Sequence, residues 1–164
     1  MIGIMLIGLG FSSCGQNSAS DKNAADGSVT EQTTQVPGTL TETPEFTILV
    51  PEGWEASDFG GGAFQTYNKS GSYMVEVRKA GVNMTEKDVE STLQALVTQY
   101  KGTPIKTVDM KGMKYFTSTY EANGRHQTMY NGLKGGAKIS ISLVGPDHET
   151  DPTIQGVLSS IVVK

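Results

Sequence analysis

The stretch over residues 15–44 limits where this chain can form a hydrophobic core. It consists mainly of Ser, Thr, Asn, Gln, Asp, Glu, Gly and Ala, and it contains no aromatic residue. Its larger aliphatic residues are Val29, Val36 and Leu40. Such a composition cannot bury enough apolar surface to offset the conformational entropy lost on folding. We therefore expect residues 14–44 to form a disordered tether and residues 45–164 to form a single folded domain.

The first residues have the pattern of an export signal that ends at a cysteine. Residues 1–11 carry no charge and are almost wholly apolar. A run this short cannot cross a bilayer core, since a membrane-spanning helix needs about 20 apolar residues. Its length suits the apolar part of a secretory signal. The segment Phe11-Ser12-Ser13-Cys14 resembles a bacterial lipobox, in which two small residues precede the modified cysteine.

Two features differ from the usual lipoprotein signal. Phe11 stands where Leu is usual, and no Lys or Arg precedes the apolar run, so we expect the natural start to lie upstream of Met1. The alternative is a buried first element with Cys14 in the core, although the polar stretch that follows offers little to pack against it. The resemblance implies that residues 1–13 are a cleaved signal peptide. It also implies a diacylglycerol on Cys14 that anchors the protein to the extracytoplasmic face of the cell membrane.

Composition and motifs exclude several classes of protein. Cys14 is the one cysteine of the chain, which excludes an internal disulfide and a multi-cysteine zinc site. The net charge of −4 is too small to indicate nucleic-acid binding. The sequence contains no HExxH, GxSxG, P-loop, CxxC or EF-hand motif. We therefore expect neither an enzyme nor a bound cofactor.

Two helices are predicted from apolar spacing and from capping residues. Thr85 is a favourable N-cap, and the acidic residues that follow it suit the positive end of a helix dipole. Lys101-Gly102 is expected to end this helix. A second helix is expected to begin near Asp151, with Pro152 at its first position and an apolar stripe that extends to Ile161 and Val162. Each helix has apolar residues along one side, so each must pack against another element.

Strands are predicted where apolar and polar residues alternate, from residues 46–50 to residues 137–144. Asn123-Gly124 is a strong hairpin signal, and hairpins join antiparallel strands. The order is strands, a helix, a three-stranded meander and a last helix. We predict an α+β fold in which an antiparallel sheet has two helices packed on it, one on each face, as an α/β/α sandwich.

Three segments carry a resemblance to a known family. They are residues 46–54 (FTILVPEGW), the helix in the middle of the chain, and residues 154–163 (IQGVLSSIVV). In these patterns the chain resembles the PsbP-like family over most of residues 45–164. That family includes extrinsic photosystem subunits, a nuclear-transport binding protein and many bacterial lipoproteins. The resemblance implies a non-enzymatic domain that associates with other proteins, and it supplies no functional residue.

The meander carries an excess of basic residues beside aromatic ones. Basic and aromatic side chains together can bind an anionic ligand or a protein. The candidate binding residues are Lys111, Lys114, Phe116, Tyr120, Tyr130 and Lys138. Phe116, Tyr120 and Tyr130 are expected to lie on the same side of the sheet, together with Lys114 and Lys138. The alternative is a solvated hairpin whose aromatic residues lie under a helix.

A short acidic segment precedes the last helix. It contains Asp147, His148, Glu149 and Asp151, and carboxylates beside an imidazole can bind a divalent cation. The alternative is that acidic residues stand there because a helix N-terminus favours negative charge. Adjacent residues in one loop rarely all converge on one ion, so these are weak metal candidates. His126 is expected to be an isolated histidine on a strand.

Together these features predict a membrane-anchored extracytoplasmic lipoprotein. We expect it to act as a binding or accessory module for an envelope protein or a small ligand. One alternative is an envelope hydrolase or metal-binding protein that uses residues 147–151. Another is a structural spacer without a specific binding surface. A hydrolase needs a concave pocket with convergent titratable groups, whereas a binding module can present a flat surface.

Overall fold

A computed structural model describes residues 36–164 of the chain, which form five strands, a helix, four more strands, a second helix and a last short strand. The strands are β1 (Gly38–Glu42), β2 (Phe46–Pro51), β3 (Trp54–Gly60), β4 (Ala63–Asn68), β5 (Met74–Ala80), β6 (Lys106–Met110), β7 (Met113–Ala122), β8 (Arg125–Lys134), β9 (Ala137–Val144) and β10 (Val162–Val163). The helices are α1 (Glu86–Tyr100) and α2 (Pro152–Ser160).

The central sheet has seven strands in the order β3-β4-β5-β9-β8-β7-β6. Every neighbouring pair is antiparallel. The Asn123-Gly124 turn joins β7 to β8 with φ angles of 54° and 72°, and positive φ at both positions is what the favoured two-residue hairpin turn requires. The predicted antiparallel sheet is confirmed, and the meander β7-β8-β9 lies within it.

A second, three-stranded sheet has the order β1-β2-β10. Its strand β1 lies inside residues 14–44, which were expected to be a disordered tether. This strand is mostly exposed, but its backbone pairs with β2 from Gly38↔Pro51 to Glu42↔Thr47. Backbone pairing at a sheet edge does not need an apolar side chain, so composition could not reveal it. The folded part of the chain therefore begins before residue 45.

Helix α1 covers one face of the central sheet through contacts with β7 and β8. Thr85 is its N-cap, as predicted: the Thr85 hydroxyl accepts from the Asp88 amide, and the Asp88 carboxylate accepts from the Thr85 amide. These reciprocal bonds satisfy two backbone donors at the helix start. The fully buried Val89 and Leu93 pack on Phe116 of β7.

Helix α2 covers the opposite face together with β2. Asp151 is the N-cap and Pro152 the first residue, as predicted. The helix ends at Ser160, because Ile161 takes an extended backbone and the next two residues pair with Thr47 and Phe46 as β10. The prediction that the helix continues through Ile161 and Val162 is wrong. These residues are β-branched, and β-branched residues favour strands.

The larger core lies between the central sheet and the layer formed by α2 and β2. Its buried residues include Phe46, Ile48, Phe64, Val75, Val77, Ile139, Ile141, Leu143, Ile154 and Val157. With α1 on the other face, the structure is an α+β sandwich, and the predicted fold class is confirmed. Within residues 36–164, neither helix has the length and apolar content needed to cross a bilayer.

Candidate functional site

Two of the predicted surface aromatic residues are buried under α1. Phe116 is 8% exposed and packs in the cluster formed with Val89 and Leu93. Tyr120 is 6% exposed and stacks on Tyr100, with 5.4 Å between ring centroids. For these two residues the structure agrees with the alternative of aromatic side chains packed beneath a helix.

Tyr130 lies on the other face of the sheet. It pairs with Thr117 in the β7–β8 register, whereas Phe116 pairs with Asn131, and adjacent positions on a strand point to opposite faces. Its ring meets Tyr115 edge to face, with 6.5 Å between centroids. Phe116, Tyr120 and Tyr130 therefore do not form one exposed surface. The prediction that Tyr130 shares a side of the sheet with the other two is wrong.

The three predicted lysines also lie apart. Lys114 forms an ion pair of 2.6 Å with Glu86 of α1 and lies over the Phe116 ring. Lys138 is half-buried opposite Leu133, and this burial lowers its pKa, with a smaller contribution from Arg78. Lys111 is exposed in the β6–β7 turn with φ of 49°. Lys111 alone of the three borders a sizeable cavity.

That cavity is the candidate binding site. It has a volume of about 380 Å³ and lies between the end of α2, strand β10 and the β6–β7 hairpin. We call it the seam cavity, since it opens where two covering elements meet the sheet. Its lining residues are Met110, Lys111, Met113, Tyr115, Lys134, Ile141, Gln155, Leu158, Ser159, Ile161, Val162 and Val163.

The seam cavity has an apolar interior and a basic edge. Ile141 and Tyr115 are buried at 2% and 4% exposure, while Lys111 and Lys134 are exposed. Burial raises the pKa of the Tyr115 phenol to about 12, so it is neutral at physiological pH. Lys134 donates a hydrogen bond from its ammonium group to the Val163 carbonyl. The arrangement can accept an apolar group inside and an anion at the edge.

The acidic segment before α2 does not act as one unit. Asp147 accepts a hydrogen bond from the Tyr73 hydroxyl, and this bond is the main reason that the pKa of Tyr73 is raised to about 12. The Asp151 carboxylate accepts from the Ile154 amide at 2.8 Å and caps α2. The helix-capping alternative therefore accounts for Asp151. The other two weak metal candidates, His148 and Glu149, bond neither to Tyr73 nor to the start of α2; their side chains bond to Gly145, Thr128 and Thr119.

His148 is fully buried at the start of a hydrogen-bonded chain. Its Nδ1 lies 2.7 Å from the Gly145 carbonyl and its Nε2 lies 2.7 Å from the Thr128 hydroxyl. A carbonyl can only accept, so Nδ1 carries the proton and Nε2 is the acceptor in the neutral ring. The Thr119 hydroxyl lies 2.9 Å from that of Thr128 and donates to the Glu149 carboxylate at 3.1 Å.

His126 of β8 joins this group and is not isolated. Its ring centroid lies 5.0 Å from that of His148, and one ligand atom from each of His126, His148 and Glu149 lies within 4.8 Å of the others. The register of β8 with β9 brings them together, since Gln127 pairs with Val144 and the Gly145 amide donates to the His126 carbonyl. Sequence reasoning missed this contact because it depends on the register of β8 with β9 and on the path of the loop that follows β9.

The geometry around His148 differs from a hydrolytic triad. In such a triad an exposed hydroxyl bonds to an imidazole whose other nitrogen bonds to a carboxylate. Here the hydroxyl belongs to Thr128, which is 4% exposed, and the other partner is a backbone carbonyl. The hydrogen-bond chain therefore gives no support to the alternative of a hydrolase built on Asp147, His148 or Glu149. Cys14, the predicted lipidation site, lies outside the described residues.

Comparison with known proteins supports the fold. The sequence matches no family model. It also matches no curated protein. Among solved structures, the chain is similar to the cyanobacterial PsbP protein CyanoP of Synechocystis sp. PCC 6803, with a TM-score of 0.53 and 17% identity over 77% of this chain and 92% of that one. It is also similar to a protein of Bacteroides thetaiotaomicron, with a TM-score of 0.54 and 15% identity.

The second similarity covers 79% of this chain but 49% of the Bacteroides protein, so this chain spans about half the length of that relative. At these identities the likeness concerns the fold. The predicted resemblance to PsbP-like proteins is thus confirmed as a shared architecture, an antiparallel sheet with two helices.

Proposed function

We propose that this protein is a membrane-anchored extracytoplasmic binding module whose seam cavity holds a small apolar ligand with an anionic head group. The observation that carries the proposal is the cavity itself, in which buried apolar walls lie next to two exposed lysines. A PsbP-like fold is compatible with an accessory or binding role, and in this chain the sandwich leaves the seam cavity beside α2.

The size and lining of the seam cavity support an apolar ligand. Its volume of about 380 Å³ is within the roughly 300–1,000 Å³ found for small-molecule sites. Met110 and Met113 form part of the wall, and methionine side chains adapt to ligands of irregular shape. Leu158 and Ile141 complete the apolar surface from α2 and from the sheet.

The charges at the edge support an anionic head group. Lys111 and Lys134 are both exposed there, on a chain with a net charge of −4. A lysine ammonium has three donors, so Lys134 can bond to the Val163 carbonyl and still bind a carboxylate. Charge-assisted hydrogen bonds of this kind are roughly twice as strong as neutral ones. A fatty-acid-like carboxylate therefore fits the site.

Charge reversal at the cavity edge tests the proposal. The full chain carrying Cys14→Ala, which cannot be lipidated, is titrated with dodecanoate by displacement of a fluorescent fatty acid. Lys111→Glu combined with Lys134→Glu should weaken dodecanoate binding by about tenfold or more, since a hydrogen bond to a charged group is worth roughly 1.5–3 kcal/mol. Binding of dodecanol, which has no carboxylate, should change much less.

The matched control reverses two exposed lysines elsewhere, Lys69→Glu in the β4–β5 turn with Lys101→Glu at the C-terminal end of α1. It gives the protein the same net charge and should leave dodecanoate affinity within about twofold, because exposed charges beyond a Debye length of about 8 Å are screened. An equal loss of affinity in both double variants would show a general charge effect. Absence of dodecanoate binding to the unreversed chain would remove the proposal.

The membrane anchor is tested independently. When the gene is expressed in a bacterium that processes lipoproteins, the wild-type protein should partition into detergent after phase separation. The Cys14→Ala protein should stay in the aqueous phase, because diacylglycerol supplies two acyl chains and stable anchoring needs about two. Equal partitioning of the two proteins would contradict lipidation at Cys14 and leave the seam cavity proposal unaffected.

A further inference from the structure

The group of His126, His148 and Glu149 has the donors of a transition-metal site. Two imidazoles and one carboxylate come from separate parts of the chain, with His126 on β8 and the other two in the loop between β9 and α2. One ligand atom of each lies within 4.8 Å of the others. Imidazole and carboxylate donors together are a set that Zn²⁺ accepts.

His148 is already oriented as a ligand. Its Nδ1–H donates to the Gly145 carbonyl at 2.7 Å, which leaves the lone pair on Nε2. A hydrogen bond from the other ring nitrogen to a carbonyl fixes the tautomer and ring orientation of metal-binding histidines. The Thr128 hydroxyl that now donates to Nε2 has another acceptor 2.9 Å away in Thr119. Thr128 can therefore release Nε2 without becoming an unpaired buried group.

The other two ligands can move toward a shared ion. Zinc bonds of about 2.0–2.2 Å in a tetrahedral site place donors about 3.4 Å apart, so the ligand atoms need to approach one another. His126 is half-buried and Glu149 is exposed, which permits this adjustment, whereas His148 is fixed in the core. His126 also borders an open polar cleft lined in part by Ser72, Glu121 and Arg125, so an ion from solvent can reach the His126 side of the cluster.

We propose that His126, His148 and Glu149 bind one Zn²⁺ ion, with water in the fourth position. Asp147 and Asp151 do not contribute, since Tyr73 and the start of α2 engage them. The site is separate from the seam cavity, because the two share no lining residue. It would link β8 to the β9–α2 loop, and so connect the sheet to the helix that borders the cavity.

Metal titration of the full, untagged chain carrying Cys14→Ala tests this proposal. The substitution removes the one thiol, so any visible absorption of bound Co²⁺ comes from nitrogen and oxygen ligands. We expect one Co²⁺ per chain, with the intense visible bands of a four-coordinate ion and with displacement by Zn²⁺. Calorimetry with Zn²⁺ should give the same stoichiometry.

Variants of the two accessible ligands assign the site. Loss of a residue that only holds a ligand in place costs about 10–100-fold in metal affinity, so loss of a ligand itself, by His126→Gln or Glu149→Gln, should cost about 100-fold or more. Asp147→Asn is the matched control, since it removes the same charge from the same loop and should leave Zn²⁺ affinity unchanged. Unchanged Zn²⁺ affinity in His126→Gln or Glu149→Gln would overturn the assignment. An equal loss of affinity in Asp147→Asn would overturn it as well.

A spectroscopic readout covers His148, whose substitution could prevent folding. In ¹⁵N spectra of the imidazoles, Zn²⁺ should shift the Nε2 resonance of His148 while Nδ1 keeps its proton. Unchanged resonances at saturating Zn²⁺ would contradict the proposal. The chain has two histidines, so the signals are assigned by comparison with His126→Gln.

Discussion

The two faces of the central sheet are covered in different ways. Helix α1 alone covers one face, and the groove beside it measures about 180 Å³, with the paired Glu86 and Lys114 in its lining. The other face is shared by α2 and the small sheet β1-β2-β10, and the seam cavity there measures about 380 Å³. The His126–His148–Glu149 cluster borders this second face as well.

This difference shows where a sandwich of this kind can acquire binding sites. Where a single helix covers a face, the side chains along one stripe of that helix can fill the space above the sheet, as Val89 and Leu93 do. At Ile161, α2 has ended and β10 is about to begin. Side chains of both elements share the space there without filling it, and the seam cavity remains. Before the start of α2, the β9–α2 loop likewise brings His148 next to His126 of β8.

The largest expected effect compares one buried residue from each face. Leu93→Ala and Ile141→Ala should each lower the free energy of unfolding by about 2–5 kcal/mol, because both side chains are almost fully buried. Only Ile141 borders the seam cavity. Ile141→Ala should therefore also weaken dodecanoate binding, by roughly fourfold or more, as a buried methylene is worth about 0.8 kcal/mol.

Urea unfolding and ligand titration on the same samples separate the two effects. Leu93→Ala serves as the control for lost stability, and its dodecanoate affinity should match that of the parent protein wherever it is folded. If the two variants weakened ligand binding equally, the claim that one face binds and the other is structural would fail.

An intermediate effect is expected from the buried hydrogen-bond chain on the α2 face. Thr128→Val keeps the side-chain shape and removes the hydroxyl that bonds to His148 Nε2. An unsatisfied buried acceptor costs about 1–3 kcal/mol, which calorimetry would record as a lower melting temperature. The matched control is Thr98→Val, whose hydroxyl bonds to the Gln94 carbonyl on the exposed side of α1; it should change stability by less than about 0.5 kcal/mol.

The smallest effect is expected from the ion pair on the α1 face. Lys114→Met keeps the aliphatic stem and removes the charge that contacts Glu86 and the Phe116 ring. Exposed pairs contribute about 0.2–1 kcal/mol, so chemical unfolding should detect a loss under about 1 kcal/mol that shrinks as salt is added. A loss larger than that of Thr128→Val would show that the α1 face depends on its charges.

Local sequence signals predicted the elements of the fold well. Thr85, Asp151 and Pro152 marked the starts of both helices, and Asn123-Gly124 marked a hairpin, because each acts on the backbone within a few residues. Strand β1 and the switch from α2 to β10 were not predicted. Both depend on pairing with β2, which is distant from β10 in the sequence.

The candidate site was predicted only in part. His148 and Glu149 were named from their own loop, but their partner His126 comes from another strand, and no local pattern indicates that contact. Tyr130 was assigned to the wrong face, because a one-residue error in the register of a strand moves each of its side chains to the opposite face of the sheet. The seam cavity was not predicted, since a cavity depends on how three separate elements pack. Lys111 is the predicted binding residue that the structure places at its edge.

Methyl spectroscopy tests the central claim, that the α2 face binds ligand and the α1 face does not. The chain has seven methionines; Met110 and Met113 border the seam cavity, whereas Met84 and Met129 pack beside α1. With ¹³C-labelled methionine methyls, dodecanoate should shift the resonances of Met110 and Met113 and leave those of Met84 and Met129 in place. Shifts confined to Met84 and Met129, or no shift at any of the four, would contradict the account.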